Sequence, residues 1–393
     1  MLIRYGKEQN GKLIKKAVIY TRAEHNINVS DVDNDAVFIT GRLRANGYES
    51  YIVGGAVRDL LLGKKPKDFD IVTDATPAMI KRVFRNSRII GRRFRLVHVF
   101  FGQRIFEVST FRSLKDGHTS NTYGTIEEDV LRRDFSINAL FYDPGKQVVV
   151  DYVDGMNDIK KRKLRPIIPP ELIFKDDPVR MIRAVKYAEA GGFSIPWALR
   201  QRIKKEAFLL NRISPSRLTE ELSKIIRSPA ALHIVESLEN LNLYGFLQKD
   251  ASLLMKQNPA FRKAYLAGFA GNGHLPAKEE PLAALVRDYL ELKTDWQELI
   301  NGSREDYKAV FLGARRFILP MNPPRVELEK AVNQIFAEHG IDLKKLKVFE
   351  RKHKPVEAGR SRTHSRITAE EQPKPGQKRK PRKKPVTAEA AAK

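Results

Sequence analysis

Short apolar runs separated by helix-like segments occupy the first 150 residues of the chain. In residues 36–43 the apolar positions follow the three-then-four spacing of one helix face, and Gly47 comes next as a residue that commonly ends helices. The apolar run 51–53 predicts a strand, and AVRDLLLG (56–63) predicts a short helix. We therefore expect strands and helices to alternate in this part.

The pattern continues with a second strand and a hairpin, and then becomes helical. DFDIV (68–72) predicts a strand, and a threonine-proline cap predicts a helix over residues 78–84. LVHVFF and RIFEVSTF lie on either side of Gly102 and predict a β-hairpin. Helical periodicity dominates beyond residue 155. The expected organisation is an N-terminal α/β part followed by an all-helical remainder.

Composition favours a folded protein of two or more domains, because the chain has 393 residues and 42% of them are hydrophobic. The chain has no cysteine, which excludes disulfides, thiolate metal sites and cysteine nucleophiles, and which fits a reducing compartment. The first twenty residues contain charges and no apolar stretch long enough for a signal peptide or a membrane span. We interpret this as a cytoplasmic protein with no membrane partner.

A strong positive charge makes a polyanion, most commonly nucleic acid, the expected partner. The net charge is +25, and the segment 351–393 contributes +10 through 14 Lys and Arg against four Glu. This segment lacks aromatic residues, so we expect a disordered tail that attracts phosphate backbones; a merely solubilising tail is the alternative. The rest of the chain carries +15 and is therefore basic without the tail.

Two aspartates one residue apart suggest a metal site. Side chains alternate along a strand, so Asp68 and Asp70 are expected on one face, with Phe69 turned into the core. Two carboxylates at this spacing repel each other unless a cation joins them, and Mg²⁺ prefers such oxygen ligands together with substrate phosphates. Glu107, on the predicted hairpin, is a candidate third carboxylate. The alternative is a pair of solvated acids on an edge strand.

A glycine pair precedes these acids. Gly54 and Gly55 follow a predicted strand and open a helix, where backbone N–H groups and the helix N-terminus can approach a phosphate. The sequence contains neither GxxxxGK[ST] nor GxGxxG, and a glycine pair alone is usually a tight turn. Together, a phosphate-binding turn and a metal-binding acidic pair indicate a nucleotidyl transferase.

Four segments in order resemble the class II nucleotidyltransferases, which are the tRNA CCA-adding enzymes and bacterial poly(A) polymerases. They are VGGAVRDLLLG, KDFDIVTDATP, RRDFSINAL and DDPVRMIRAVKYA. The resemblance implies an α+β nucleotidyltransferase head with a small mixed sheet, followed by an all-helical neck and body. The implied boundaries are 1–150 for the catalytic head, 151–230 for the nucleotide-selecting neck, 231–350 for the RNA-binding body and 351–393 for the tail.

The resemblance also implies roles for residues in the head. It assigns Asp68 and Asp70 to the metal ions. It assigns the triphosphate to Gly54, Gly55 and Arg58, and a nucleotide contact to Arg133. Asp134 is implied as a catalytic acid, and the choice between Asp134 and Glu107 as third metal ligand stays open.

In the neck, Asp177, Arg180 and Arg183 are implied to select the nucleotide. Because a carboxylate only accepts hydrogen bonds and a guanidinium only donates them, Asp177 and Arg180 would match the amine and the ring nitrogen of adenine. Two positions depart from the family pattern: Asp176 stands for the usual Glu, and Lys186 for the usual third Arg.

Both branches of the family join a nucleotide to an RNA 3′ end and release pyrophosphate by a two-metal mechanism. The stretch with Arg92, Arg93 and Arg95 before a His-containing strand resembles the poly(A) polymerases. We therefore predict a polynucleotide adenylyltransferase that uses ATP and Mg²⁺, with Mn²⁺ as an alternative ion, on mRNA or other single-stranded RNA. A CCA-adding enzyme acting on tRNA is the second interpretation, and a catalytically inactive RNA-binding protein is the third. Aromatic residues of the body, including Trp296, are expected in the core rather than as base-stacking platforms.

Overall fold

The structure is a computed structural model that describes residues 2–7, 13–91, 96–113, 122–270 and 281–344. The predicted basic stretch with Arg92, Arg93 and Arg95 and the predicted tail 351–393 lie outside the described residues.

Nine described strands form one mixed sheet in the order β1-β2-β9-β8-β3-β4-β7-β6-β5. The strands are β1 (Leu2–Lys7), β2 (Leu13–Tyr20), β3 (Ser50–Val53), β4 (Asp70–Thr73), β5 (Ser87–Ile90), β6 (Leu96–Phe101), β7 (Arg104–Thr110), β8 (Leu140–Asp143) and β9 (Val148–Asp151). β4 and β7 pair in parallel, while β4 pairs with β3 in the antiparallel sense.

Helices pack around the sheet and make up the chain after β9. They are α1 (Arg22–His25), α2 (Asn34–Ala45), α3 (Gly55–Leu61), α4 (Pro77–Val83), α5 (Ile126–Leu131), α6 (Gly155–Lys160), α7 (Ile173–Asp176), α8 (Val179–Gly191), α9 (Trp197–Glu206), α10 (Pro215–Ile226), α11 (Ala231–Asn240), α12 (Tyr244–Leu247), α13 (Lys249–Gln257), α14 (Pro259–Ala267), α15 (Ala283–Lys293), α16 (Trp296–Leu299), α17 (Arg304–Phe317) and α18 (Arg325–Glu338). Short 3-10 helices cover Val29–Asp31, Ser136–Asn138 and Ala207–Arg212. The predicted fold class, a mixed sheet followed by helices, is confirmed.

Both faces of the central strands are buried, because side chains alternate between the two faces. Ile52 and Ile71 pack in the larger core together with Ile39 of α2. Val53 and Val72, the next residue of each strand, pack in a second core on the opposite face. This double burial fixes the register of β3 and β4.

Most of the local predictions for the head are confirmed. The predicted helix in 36–43 lies within α2, where the Asp33 side chain accepts hydrogen bonds from the first-turn N–H groups. The predicted hairpin around Gly102 is formed by β6 and β7. Among the helices that the structure describes, none has the length and apolar composition that crossing a bilayer requires.

The predicted strand over 68–72 is wrong at its start, because β4 begins only at Asp70. The last residue pair between β3 and β4 is Val53 with Asp70, and Gly54 then turns the chain away. Asp68 therefore has no partner on β3 with which a strand could continue. Phe69 is nevertheless buried and both aspartates are exposed, so the predicted sidedness holds without the strand.

Two glycines allow a paired test of backbone conformation. Gly54 has φ 70° and ψ −133°, a region that side chains disfavour, so Gly54→Ala should cost about 1 to 3 kcal/mol of unfolding free energy. Gly41 lies in α2, and a Cβ added there would have no atom within 4 Å, so Gly41→Ala should add about 0.5 to 1 kcal/mol. Urea unfolding of both variants measures the two changes. Changes of equal sign would contradict the conformational explanation.

Candidate active site

The turn between β3 and α3 brings the backbone close to Asp70. A Cβ at Gly54 would lie 3.7 Å from Oδ2 of Asp70 and 3.9 Å from Nη1 of Arg133. Gly54 is also the N-cap of α3, so the first N–H groups of the helix begin beside this carboxylate. The turn therefore combines a positive helix end, an arginine and an acid, as the sequence predicts for a triphosphate site.

Asp70 lies in a negative field that favours a bound cation. Although Asp70 is open to the solvent on one side, the protein around it reduces the hydration of its carboxylate and raises its pKa to about 6. The Glu107 carboxylate adds to the increase in pKa, Asp68 acts in the same direction, and Arg133 and Lys224 partly offset it. Because the rise in pKa reflects reduced hydration and repulsion between carboxylates, a divalent cation would stabilise the ionised pair.

Glu107 and Asp134 have different surroundings. Glu107 lies on β7 beside β4 and has the largest effect on the pKa of Asp70 of any charged group. The Asp134 carboxylate instead accepts hydrogen bonds from the Phe135 N–H at 2.7 Å and from Nδ2 of Asn138 at 3.1 Å. The register of β4 and β7 thus places Glu107 next to Asp70, where it is a candidate third acid, while Asp134 is engaged by Phe135 and Asn138. Within the described ranges no three His, Asp or Glu side chains converge as a complete metal site, so water or substrate oxygens would have to complete the shell.

Asn138 holds the two predicted nucleotide-binding arginines in place. Nη1 of Arg58 donates to Oδ1 of Asn138 at 2.8 Å, and its guanidinium lies 5.0 Å from the Tyr187 ring centroid. Arg133 donates to the Asn138 carbonyl at 3.3 Å and to the Asp129 carboxylate at 2.8 Å. Because these side chains are already ordered, binding a phosphate would cost little conformational entropy.

A cavity of about 480 Å³ opens beside these groups. Its lining residues include Gly55, Arg58, Asp68, Asp70, Tyr187, Lys64, Lys65 and Lys67. The volume lies in the range of ordinary ligand pockets. The three lysines are missing from the predicted site residues, although the sequence shows them as KKPK directly before the acidic pair.

The predicted nucleotide-selecting residues lie at the start of α8, and their polar groups are engaged. Arg180 is 7% exposed and donates to the Asp176 carboxylate at 2.5 Å and to the Ile173 carbonyl at 3.2 Å. Asp177 accepts from Nη2 of Arg217 at 2.9 and 3.1 Å. Asp176 therefore holds Arg180, although it is one methylene shorter than the glutamate of the family pattern.

Glu221 on α10 connects the other two cations of α8. Its carboxylate is 2% exposed and accepts from Nε of Arg183 at 2.8 Å and from Nζ of Lys186 at 2.5 Å. Burial alone would raise the pKa of Glu221, but Lys186 and Arg183 lower it below its usual range. The sequence-based prediction missed both Glu221 and Arg217. Their spacing of four residues, which places them on one helix face, was the available signal.

Comparison with known proteins supports the same interpretation. The family described as "Poly A polymerase head domain" matches residues 50–165. The family described as "Probable RNA and SrmB- binding site of polymerase A" matches residues 192–254. Poly(A) polymerase I of Salmonella typhi is 43% identical over 242 residues, which cover 58% of this chain and 52% of that protein. The chain is therefore similar to poly(A) polymerases over its head and over the segment that follows it.

The tRNA nucleotidyltransferases are less similar to this chain. The CC-adding tRNA nucleotidyltransferase of Halalkalibacterium halodurans is 34% identical over 234 residues, which cover 58% of this chain and 59% of that protein. The structure of the Bacillus stearothermophilus CCA-adding enzyme in complex with CTP superposes with a TM-score of 0.54 and 26% identity, covering 77% of this chain and 82% of that one. The chain spans about half the length of the curated poly(A) polymerases that it matches.

The buried contact of Glu221 predicts a stability effect. Glu221→Gln should lower the free energy of unfolding by about 3 kcal/mol, because it leaves Arg183 and Lys186 without a countercharge in a largely buried position. Glu220→Gln is the matched control, because Glu220 is the neighbouring residue of α10 and forms an exposed pair with Lys224, so its loss should cost less than about 0.5 kcal/mol. Urea unfolding would contradict the prediction if both variants lost the same amount.

Proposed function

We propose that this chain transfers AMP from ATP to the 3′ hydroxyl of RNA and releases pyrophosphate. The observation that carries this proposal is the position of Asp70, which lies beside the N-terminus of α3 and lines a cavity that also contains one arginine and three lysines. A triphosphate is the ligand that needs such cationic groups and, at the same time, an acidic pair for a metal ion.

Asp68 and Asp70, with Glu107 beside them, would hold Mg²⁺, with Mn²⁺ as an alternative. A divalent ion at this position would neutralise charge on the reacting phosphate and activate the attacking hydroxyl. The residues of the chain do the rest. The α3 N-terminus with Gly54, Gly55 and Arg58 would orient the phosphates and the leaving pyrophosphate. Arg133 and Asp134 would lie against the rest of the nucleotide.

Adenine selection is proposed for Asp177 and Arg180, with Arg183 supporting them. The buried Asp176 contact fixes the guanidinium of Arg180, and reading one base edge requires a fixed donor. The Asp177 carboxylate is paired with Arg217, whose side chain is 48% exposed, so the base amine would replace one contact of a solvent-accessible pair. An exposed pair of this kind costs little to separate.

The relatives support ATP as the nucleotide. Identity to poly(A) polymerases reaches 43–44%, whereas the CC-adding and CCA-adding proteins match at 27–34%. CCA addition to tRNA is the second candidate function, and one observation favours it. The CCA-adding enzyme of Bacillus subtilis, at 27% identity, matches 83% of this chain and 88% of its own length. Either activity would act on RNA 3′ ends. We propose that the protein is cytoplasmic.

A primer-extension assay separates the two candidates. With Mg²⁺ and ATP alone, the protein should add a long ladder to a generic single-stranded RNA, and CTP should give little product. Replacing ATP by CTP and using a tRNA that lacks its 3′ CCA provides the comparison. Addition of two C residues and one A to that tRNA would establish CCA addition instead. If neither RNA is extended, the remaining interpretation is a catalytically inactive RNA-binding protein.

Substitution of Asp70 tests the acidic pair. Asp70→Asn should reduce the rate of nucleotide addition about a thousandfold or more, because the charge on the reacting phosphate loses several kcal/mol of stabilisation. RNA affinity, measured by fluorescence anisotropy, should stay within about twofold. Asp74→Asn is the matched control, because Asp74 is exposed and lies just beyond the opposite end of β4. A variant at Asp70 that still extends RNA at the parental rate would refute the metal assignment.

A further inference from the structure

Helix α9 and the 3-10 turn that follows it present an unusual outer face. The inner positions Leu199 and Ile203 are buried in the main core. The outer face carries the Trp197 indole, which is 74% exposed, and the Phe208 ring, which is 57% exposed. Within the described residues, neither ring contacts another aromatic ring or a cation. Two large aromatic side chains are thus available for a ligand.

Eleven residues separate Trp197 in α9 from Phe208 in the 3-10 helix that follows it. Eleven residues make about three helical turns, so helical geometry places the two rings on the same side, roughly 16 Å apart along the axis. Gln201 and Lys204 occupy the intervening positions on this face, and both are exposed. The rings therefore form two separate platforms with polar residues between them, rather than one continuous apolar patch.

The charge around these rings is positive. Arg200, Lys204, Lys205 and Arg212 are exposed, and none of these four forms an ion pair with a residue that the structure describes. The only acid between residues 197 and 212 is Glu206, which is 7% exposed and paired with Arg202. No exposed carboxylate of this segment therefore opposes the approach of a polyanion to the face.

We propose that the outer face of α9 binds single-stranded RNA, with bases stacking on Trp197 and Phe208 and the surrounding cations contacting the phosphates. This combination of spaced aromatic rings and a basic surface is the general solution for binding single strands without reading their sequence. The separation of the rings by Gln201 and Lys204 disfavours an apolar protein partner, which would need a contiguous patch.

The inference rests on the proposed function, since it places part of the RNA substrate on the element that follows the nucleotide-selecting helix α8. Only residues 192–196 join α8 to α9. RNA held by α9 would therefore be anchored only a few residues along the chain from the helix proposed for base selection. Interleaved aromatic and basic residues at the surface tolerate any base, as addition to varied RNA ends requires.

An equilibrium binding experiment on the full chain tests the proposal. A fluorescein-labelled oligoadenylate serves as probe, in EDTA so that no nucleotide transfer takes place. Trp197→Ala and Phe208→Ala should each weaken binding between about 5-fold and 100-fold, while Trp197→Phe, which keeps a stacking ring, should stay within about threefold. Phe38→Ala is the matched control, because Phe38 is a 49% exposed ring on α2, and it should not change the affinity.

Two further readouts distinguish stacking from general electrostatics. Combined replacement of Arg200, Lys204 and Lys205 by Gln should reduce the slope of log affinity against log salt by about 0.7 for each lost phosphate contact. Trp197→Ala should leave that slope unchanged. RNA should also quench the tryptophan fluorescence of the parent protein but not that of Trp197→Phe, which isolates the signal of one of the two tryptophans in the chain.

The outcomes are separable from those of the primer-extension assay. Parental RNA affinity in both aromatic variants, with no quenching of Trp197, would overturn the proposal and leave this face for a protein partner. Reduced binding in these variants, in a protein that extends no RNA, would support the binding face and remove the proposed transfer activity. Because both rings are exposed, thermal unfolding of the variants should match the parent and exclude misfolding as the cause.

Discussion

The position of β4 between β3 and β7 is the constraint on which the candidate site depends. β4 pairs with β3 in the antiparallel sense up to Asp70, and with β7 in the parallel sense from Ile71 onward. This arrangement brings together the end of β3, the start of β4 and Glu107 of β7 in the middle of the sheet. Asp70 and Glu107 are held there by backbone pairing and by two buried cores, so the fold sustains a carboxylate repulsion that a flexible loop would relieve.

The same site requires a backbone conformation with positive φ, which residues other than glycine rarely adopt. Gly54 leaves β3 with a positive φ and starts α3 within reach of Asp70. Anionic and cationic elements are therefore adjacent but not mutually neutralised: Arg58 is held by Asp59 and Asn138, and Arg133 by Asp129. The polar partners of these arginines lie outside the acidic pair, which leaves the pair available for an external cation.

Local patterns predicted much of the head but not its long-range pairing. The sidedness of Asp68 and Asp70 followed from the alternation around Phe69, even though the strand begins two residues later than expected. The parallel pairing of β4 with β7, and the extension of the sheet by β1 and β2, depend on partners far along the chain that periodicity cannot identify. The contacts of Arg217 with Asp177, and of Glu221 with Arg183 and Lys186, were missed for the same reason, since they span 35 to 40 residues. Domain boundaries and the roles of the site residues stay predictions.

The two tryptophans show how a residue's phase on a helix, rather than its type, determines its environment. Trp296 was expected in the core and is half-buried against it: the indole stacks on His339 at 4.0 Å, donates to Glu291 and packs against Phe336. Trp197 lies two residues before Leu199, which faces the core, and so falls outside the buried stripe of α9. Its phase was readable in WALRQRIKKE, where the apolar positions Leu199 and Ile203 define the inner face. An exposed indole does not contribute the hydrophobic stabilisation that its burial would give. Stacking of a nucleic-acid base on Trp197 would bury the indole, and the positive charge around it favours a polyanion as the ligand.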